Sequence, residues 1–130
     1  MQVTQGNFYK EYTVKIYRVE DCNGIGPYQN SNTFKFLSDF SLQKHPMVNN
    51  SKIEDFADEH GYNVEDVFFG FESINQLKNW FSKKVLDNLY KINYHVAVYE
   101  ISIKYAVSDN KQVIFFMEEA EKLDEIERIS

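Results

Sequence analysis

The chain has 130 residues, a single cysteine and a net charge of −6, from 20 acidic and 14 basic side chains. It is the size of one domain with its own core, and at 43% hydrophobic and 16% aromatic it holds too much apolar surface to stay disordered. One Cys22 excludes an intramolecular disulfide, the dispersed His45, His60 and His95 give no zinc-binding spacing, and the acidic balance argues against binding duplex DNA, which needs a basic stripe to displace counterions.

Residues 1–130 are therefore read as one domain. Its opening, MQVTQGNFYK, lacks the basic start and apolar core of a signal peptide, and no apolar run approaches the ~18 residues that span a bilayer. The expectation is a cytoplasmic protein. Tyr12–Val19 alternates and is rich in β-branched and aromatic residues, which predicts a strand whose inward row is Tyr12, Val14, Ile16 and Arg18. Asp21–Pro27, with Gly24, Gly26 and Pro27, reads as a tight loop. Tyr28–Pro46 is polar and irregular, with a short apolar piece at Phe34–Phe40. Lys52–His60 sets Ile53, Phe56 and Ala57 on one helical face, and Gly61 stops it. Ser73 with Gln76 forms a capping box ahead of Ile74, Leu77, Trp80 and Phe81, and a second helix covers Val85–Lys91. Tyr94–Tyr105, apolar on both faces, predicts a central strand. Asp109-Asn110 then turns the chain into a strand over Gln112–Met117. The acidic end, Glu118–Ile129, carries Leu123, Ile126 and Ile129 three apart and is expected to be helical, with a final strand as the alternative. The sum is an α+β domain: a small, largely antiparallel sheet with packed short helices.

Arg18 is the most informative candidate, because the alternation turns a guanidinium toward the core. An unpaired buried charge costs several kcal/mol, whereas the donor fork suits a carboxylate or phosphate. Either Arg18 pairs with a core-edge acid such as Glu100 or Glu72 or emerges into solvent beside the loop, or it lines a pocket for an anionic ligand beside the glycine loop. Gly24-x-Gly26 alone is a turn rather than a dinucleotide fingerprint. His45 before Pro46 is a loop imidazole able to serve as acid, base or phosphate contact, though a surface role is commoner. His60 and His95 have structural explanations at element ends, Ser73 reads as a cap, and Cys22 has no neighbour that would activate it. Phe68, Phe69, Phe71, Trp80 and Phe81 suit a core, with one ring free to stack on a base.

Ile16-Tyr17-Arg18-Val19-Glu20, Gly24-x-Gly26-Pro27-Tyr28, His45-Pro46, Phe69-Gly70-Phe71-x-Ser73-x-x-Gln76-Leu77-x-x-Trp80-Phe81 and Gln112-Val113-x-Phe115 together resemble a group of small phage and bacterial proteins, over residues 14 to 120. The order of parts is also similar to compact ADP-ribosyltransferase-like domains. That resemblance implies an NAD or NAD-derived nucleotide as ligand: Arg18 on its diphosphate or ribose, Phe71 and Ser73 on the nicotinamide side, and Gln112 at the late-strand position. In such transferases the late strand carries a catalytic Glu; here it offers Gln112 and Ile114, with Glu100 as a substitute that no motif supports.

Three functions follow from these readings. The first is a phage accessory protein of counter-defence type, homo-oligomeric, that captures a nucleotide-like molecule through Lys15, Arg18, Tyr28, His45 and aromatic stacking and acts as a sponge or inhibitor. The second is a divergent ADP-ribosyltransferase using Arg18, Ser73 and Gln112 or Glu100. The third is an acidic interaction protein whose residues 118–127 mimic nucleic acid toward a host defence or nucleic-acid-binding partner. No metal and no membrane enter any of the three.

Overall fold

In a computed structural model of the chain, the structure describes residues 12–27, 50–109 and 111–129, and all that follows concerns these. The first strand, β1, spans Thr13–Glu20. Helix α1 (Asn50–His60) buries Ile53, Phe56 and Ala57. It ends at Gly61, whose φ of +73° lets the Tyr62 amide donate back to Ala57 O at 2.9 Å. A 3-10 turn leads into β2 (Val67–Gly70), followed by α2 (Ile74–Trp80) and α3 (Lys83–Lys91). Then come β3 (His95–Ser102), β4 (Ala106–Ser108), β5 (Val113–Phe116) and β6 (Glu121–Ile126).

The strands form two antiparallel three-stranded sheets, ordered β1-β3-β6 and β2-β5-β4. They are joined by one bridge, in which the Tyr17 and Phe71 amides donate to each other's carbonyls at 2.7 and 2.8 Å. On one side of the first sheet, Val19 and Val96 pack with Phe71, Leu77, Trp80, Leu86 and Leu89 beneath α2 and α3. Its other side, with Ile16, Ala97, Tyr99 and Ile101, meets Val113 and Phe115 of the second sheet. That sheet's far side, Val67, Ile114 and Phe116, carries α1. The order of layers is helices, sheet, sheet, helix, an α+β architecture as the sequence implies.

Three expectations change. The long strand Tyr94–Tyr105 ends at Ser102, whose Oγ accepts from the Lys104 amide as residues 103–105 turn, so Ala106–Ser108 leaves to pair with β5 as β4. The acidic end contains a strand where the periodicity suggested a helix. Between Val98 and Tyr99 the β3–β6 register slips, giving β6 an extra residue at Leu123; the three-residue spacing from Leu123 to Ile126 spans this bulge, and Leu123 is 44% exposed. Finally, Tyr12 (76% exposed) and Val14 lie outside the core, since the inward row is covered only from Ile16, where the second sheet begins to pack on it. The apolar piece at Phe34–Phe40 lies outside the described residues.

Candidate functional site

Residues two apart in a strand share a face, so β1 turns Arg18 and Glu20 inward together. Both are almost fully buried, at 5% and 1% exposed. Arg18 Nε lies 3.2 Å from Glu20 Oε1, Nη1 donates to Phe69 O at 2.8 Å, Nη2 donates to Gly24 O at 3.2 Å, and the guanidinium stacks on the Phe68 ring at 5.0 Å. The acid that meets Arg18 is thus Glu20, not Glu100 or Glu72, and the pairing is local rather than long-range. Burial holds the Arg18 pKa below its ordinary value, with the Glu20 charge opposing the shift.

Glu20 is served from further sides. The Tyr99 hydroxyl stands 2.9 Å from both carboxylate oxygens, and Lys122 Nζ approaches Oε2 at 3.4 Å. Burial first, then the Glu20 charge, raises the Tyr99 pKa well above that of a free phenol. Lys122 also donates to Glu125 Oε1 at 2.9 Å, which with the nearby His95 keeps the Glu125 carboxyl below its usual range. Glu125 Oε2 lies 3.6 Å from His95 Nε2. A chain of ionisable side chains thus runs from Arg18 through Glu20, Lys122 and Glu125 to His95.

The loop after β1 is shaped to reach Arg18. Asp21 Oδ1 accepts from the Asn23 and Ile25 amides, both at 2.9 Å, and Gly24 adopts φ +78°, a conformation that favours glycine. This sets Gly24 O against the guanidinium. Beside it lies a partly open cavity of about 160 Å³. Arg18 and Val19 of β1, Gly26 and Pro27 of the loop, and Val67, Phe68 and Phe69 of β2 form part of its wall; Phe71, Trp80, Phe81 and Gln112 complete it. Trp80 and Phe81 arrive from the end of α2, which starts where Ser73 Oγ accepts from the Gln76 amide at 3.0 Å. The capping box is displaced by one residue, since Gln76 Oε1 accepts from the Glu72 amide. Gln112 is 2% exposed and its Nε2 has no hydrogen-bond partner among the described residues, while its backbone carbonyl accepts from the Asp109 amide and closes the turn before β5.

Of the residues singled out by sequence, the fold brings Arg18, Phe71 and Gln112 to one cavity. Ser73 is a cap outside it. Lys15 lies in a separate groove with Glu72 and Ile103. Glu100 sits opposite Lys15 and Glu121 in the first sheet, where it accepts from Thr13 Oγ1 at 3.3 Å, and does not reach the cavity wall. Tyr28 and His45 lie outside the described residues. His60 closes α1 against the Phe56 carbonyl, and Cys22 is exposed. Sequence reasoning missed Glu20 and Tyr99; the two-residue spacing Arg18-x-Glu20 within a strand is the signal that identifies the first.

Among the described residues, no helix is long and apolar enough to cross a membrane, and no three His, Cys, Asp or Glu side chains cluster to hold a metal ion. Compared with known proteins, residues 14–128 match the family model described as Bacteriophage T4 Y00F protein. No curated protein and no solved structure matches the chain.

Proposed function

The chain belongs to the Bacteriophage T4 Y00F protein family, and from that premise we propose that it is a phage accessory protein of counter-defence type that captures a nucleotide-like molecule in the cavity beside Arg18 and releases it unchanged. The observation that carries this reading is the cavity itself, a ring-sized space walled by Phe71, Trp80 and Phe81, with the buried polar residues Arg18 and Gln112 also in its wall. Aromatic walls with a few fixed polar groups are the common form of a small-molecule site. Binding without turnover is favoured over transfer chemistry because the described lining contains no carboxylate: Glu20 lies behind Arg18, and Glu100 stands elsewhere in the first sheet. A base inserted among the rings leaves its sugar and phosphates toward the mouth, and sequestration of a nucleotide signal in the host cytoplasm is the role this serves. NAD and its derivatives belong to the same screen.

The test is a thermal-shift screen of the purified chain against nucleoside mono- and diphosphates, oxidised NAD, ADP-ribose and cyclic nucleotides, with chromatography of each mixture afterwards. A ligand at 100 times its dissociation constant adds about 2.7 kcal/mol to stability. Stabilisation with the ligand recovered intact supports the sponge. Recovery of free nicotinamide or of a cleaved product replaces it with an enzyme. No shift with any nucleotide ends the reading and leaves a protein partner, approached through the acidic stretch 118–127, as the one to seek.

A further inference from the structure

We propose that the free edge of β1 is a homodimer interface: two copies of this chain pair their β1 strands antiparallel about a two-fold axis at Thr13, and each lays Tyr12 on the groove beside the other's Val14.

Unpaired main-chain groups mark this edge. Successive residues of an antiparallel strand send their N–H and C=O groups to opposite sides. Tyr12 O accepts from the Ile103 amide on the β3 side, while the Tyr17 amide and carbonyl exchange hydrogen bonds with Phe71 on the other. Thr13 and Lys15 alternate in step with Tyr17, so their groups also point away from β3, and no described residue takes them. Other strand edges of the fold are guarded. β6 has a bulge and the charged Glu121, Lys122, Asp124 and Glu125. On β2, Phe69 O is held by Arg18; β4 is three residues long, and Lys52 Nζ donates to Ser108 O at 3.4 Å. The β1 edge instead sets the single charge of Lys15 beside exposed Tyr12, Val14 and Ile103. An open edge with apolar side chains is a template for another strand.

Self-complementarity makes that strand a second copy. Beside Val14 lies an open groove of about 370 Å³, walled in part by Val14, Ile16, Ile103, Ala106 and Val113. With the two-fold axis at Thr13, the two Thr13 residues exchange main-chain hydrogen bonds, and Tyr12 of each copy stands opposite Val14 of the other. Residues two apart share a face, so Tyr12, 76% exposed in one chain, lies on the groove side of the strand with Val14 and Ile16. An aromatic ring across from a β-branched residue is a favourable cross-strand pair. Ring and groove belong to the same chain, so the two-fold axis makes both contacts at once and closes the assembly at two copies. Neighbouring registers fail. Centred on Lys15, the pairing sets two ammonium groups opposite each other and needs the Tyr17 groups that Phe71 already holds. Centred on Val14, it drives the partner's main chain into Glu72, which follows the Phe71 bridge alongside Ile16.

The experiment measures mass by sedimentation equilibrium from micromolar to millimolar chain, with no nucleotide present, in a Cys22→Ser background that removes the exposed thiol. A dimer is expected. Tyr12→Asp should raise its dissociation constant at least about a hundredfold, about tenfold for each of the two symmetric contacts, while the dilute monomer melts as before because the ring is largely in water. Disulfide formation reads the register. Thr13→Cys should oxidise to a covalent dimer, since the paired Cα atoms lie about 5.5 Å apart across the axis. Lys15→Cys should not, since its two copies are offset by roughly 13 Å along the strands. A chain that stays monomeric at millimolar concentration overturns the inference and leaves the edge to a foreign strand. A dimer unweakened in Tyr12→Asp, or Lys15→Cys cross-linking as readily as Thr13→Cys, overturns it as well. The cross-linking pair decides the register even if Tyr12→Asp fails to fold.

Discussion

Arg18 touches a carboxylate, two backbone carbonyls and an aromatic ring, and these come from β1, the following loop and β2. Removing it would take from Glu20, at 1% exposure, its buried counter-charge and leave it Tyr99 and the half-exposed Lys122, so the cost lies at or below the about 3 to 5 kcal/mol of a buried pair broken by deleting one partner. Arg18→Ala therefore reports on folding before it reports on a ligand. The same carboxylate gives a pH-dependent prediction. Tyr99 donates to Glu20, and its pKa is raised by burial and then by the Glu20 charge. A phenol whose folded pKa lies above its unfolded value of ~10 contributes stability that is fully present below pH ~10 and is lost as pH rises beyond it, because only the unfolded chain then releases the proton. Tyr99→Phe, which leaves a buried carboxylate short of a donor, is expected to cost about 1 to 3 kcal/mol at pH 7. Because the variant lacks that titration, the gap should narrow above pH ~10. Urea unfolding at pH 7 and pH 11 measures both; a gap that stays constant would show that the Tyr99 proton plays no part.

At the scale of elements, the junction of the two sheets depends on a glycine. A Cβ at Gly70 would stand 2.4 Å from Ile16 Cγ2 and 3.1 Å from Tyr17 O. Ile16 is fully buried and its β-branched side chain is stiff, so it has little room to give. Gly70→Ala is expected to destabilise the chain by about 1 to 3 kcal/mol, the usual cost of overpacking. In an Ile16→Ala background the penalty should fall, since the clashing methyl is gone, and a double-mutant cycle by chemical denaturation measures the coupling. Fully additive costs would place the strain elsewhere. The elements themselves were unequally legible. β1, α1, α2 and α3 announce themselves by periodicity and caps, because their apolar spacing is local. β2 is only four residues long, and Val67-Phe68-Phe69 has no alternation to mark it; it is a strand because β5 lies beside it. β6 reads as a helix until its bulge and its partner β3 are known. What the sequence could not show in each case is a hydrogen-bonding neighbour far away along the chain.

For the molecule as a whole, the two sheets share two main-chain hydrogen bonds at Tyr17 and Phe71, and the cavity opens beside that bridge. Its wall takes Arg18 and Val19 from one sheet and Phe68 and Phe69 from the other, so an occupant touches both. The sequence made Arg18 conspicuous and supplied Phe71 and Gln112 as companions, but the cavity's wall is drawn from both sheets, which approach closely at Gly70, a packing relation that no local pattern encodes. This arrangement predicts where binding should be felt. The opening that exposes the Tyr17 and Phe71 amides to solvent parts the sheets and dismantles the cavity, so a ligand that binds only the closed form must oppose it. At 100 times its dissociation constant that ligand lowers the open population about a hundredfold. Native-state hydrogen exchange with a saturating nucleotide that stabilises the chain should therefore slow at Tyr17 and Phe71 by about that factor. Amides of α1, which packs on the far side of the second sheet, should change less wherever they exchange by local fraying. If those two amides are unaffected while the nucleotide is bound, the ligand does not bridge the sheets, and the cavity beside Arg18 is not where it sits.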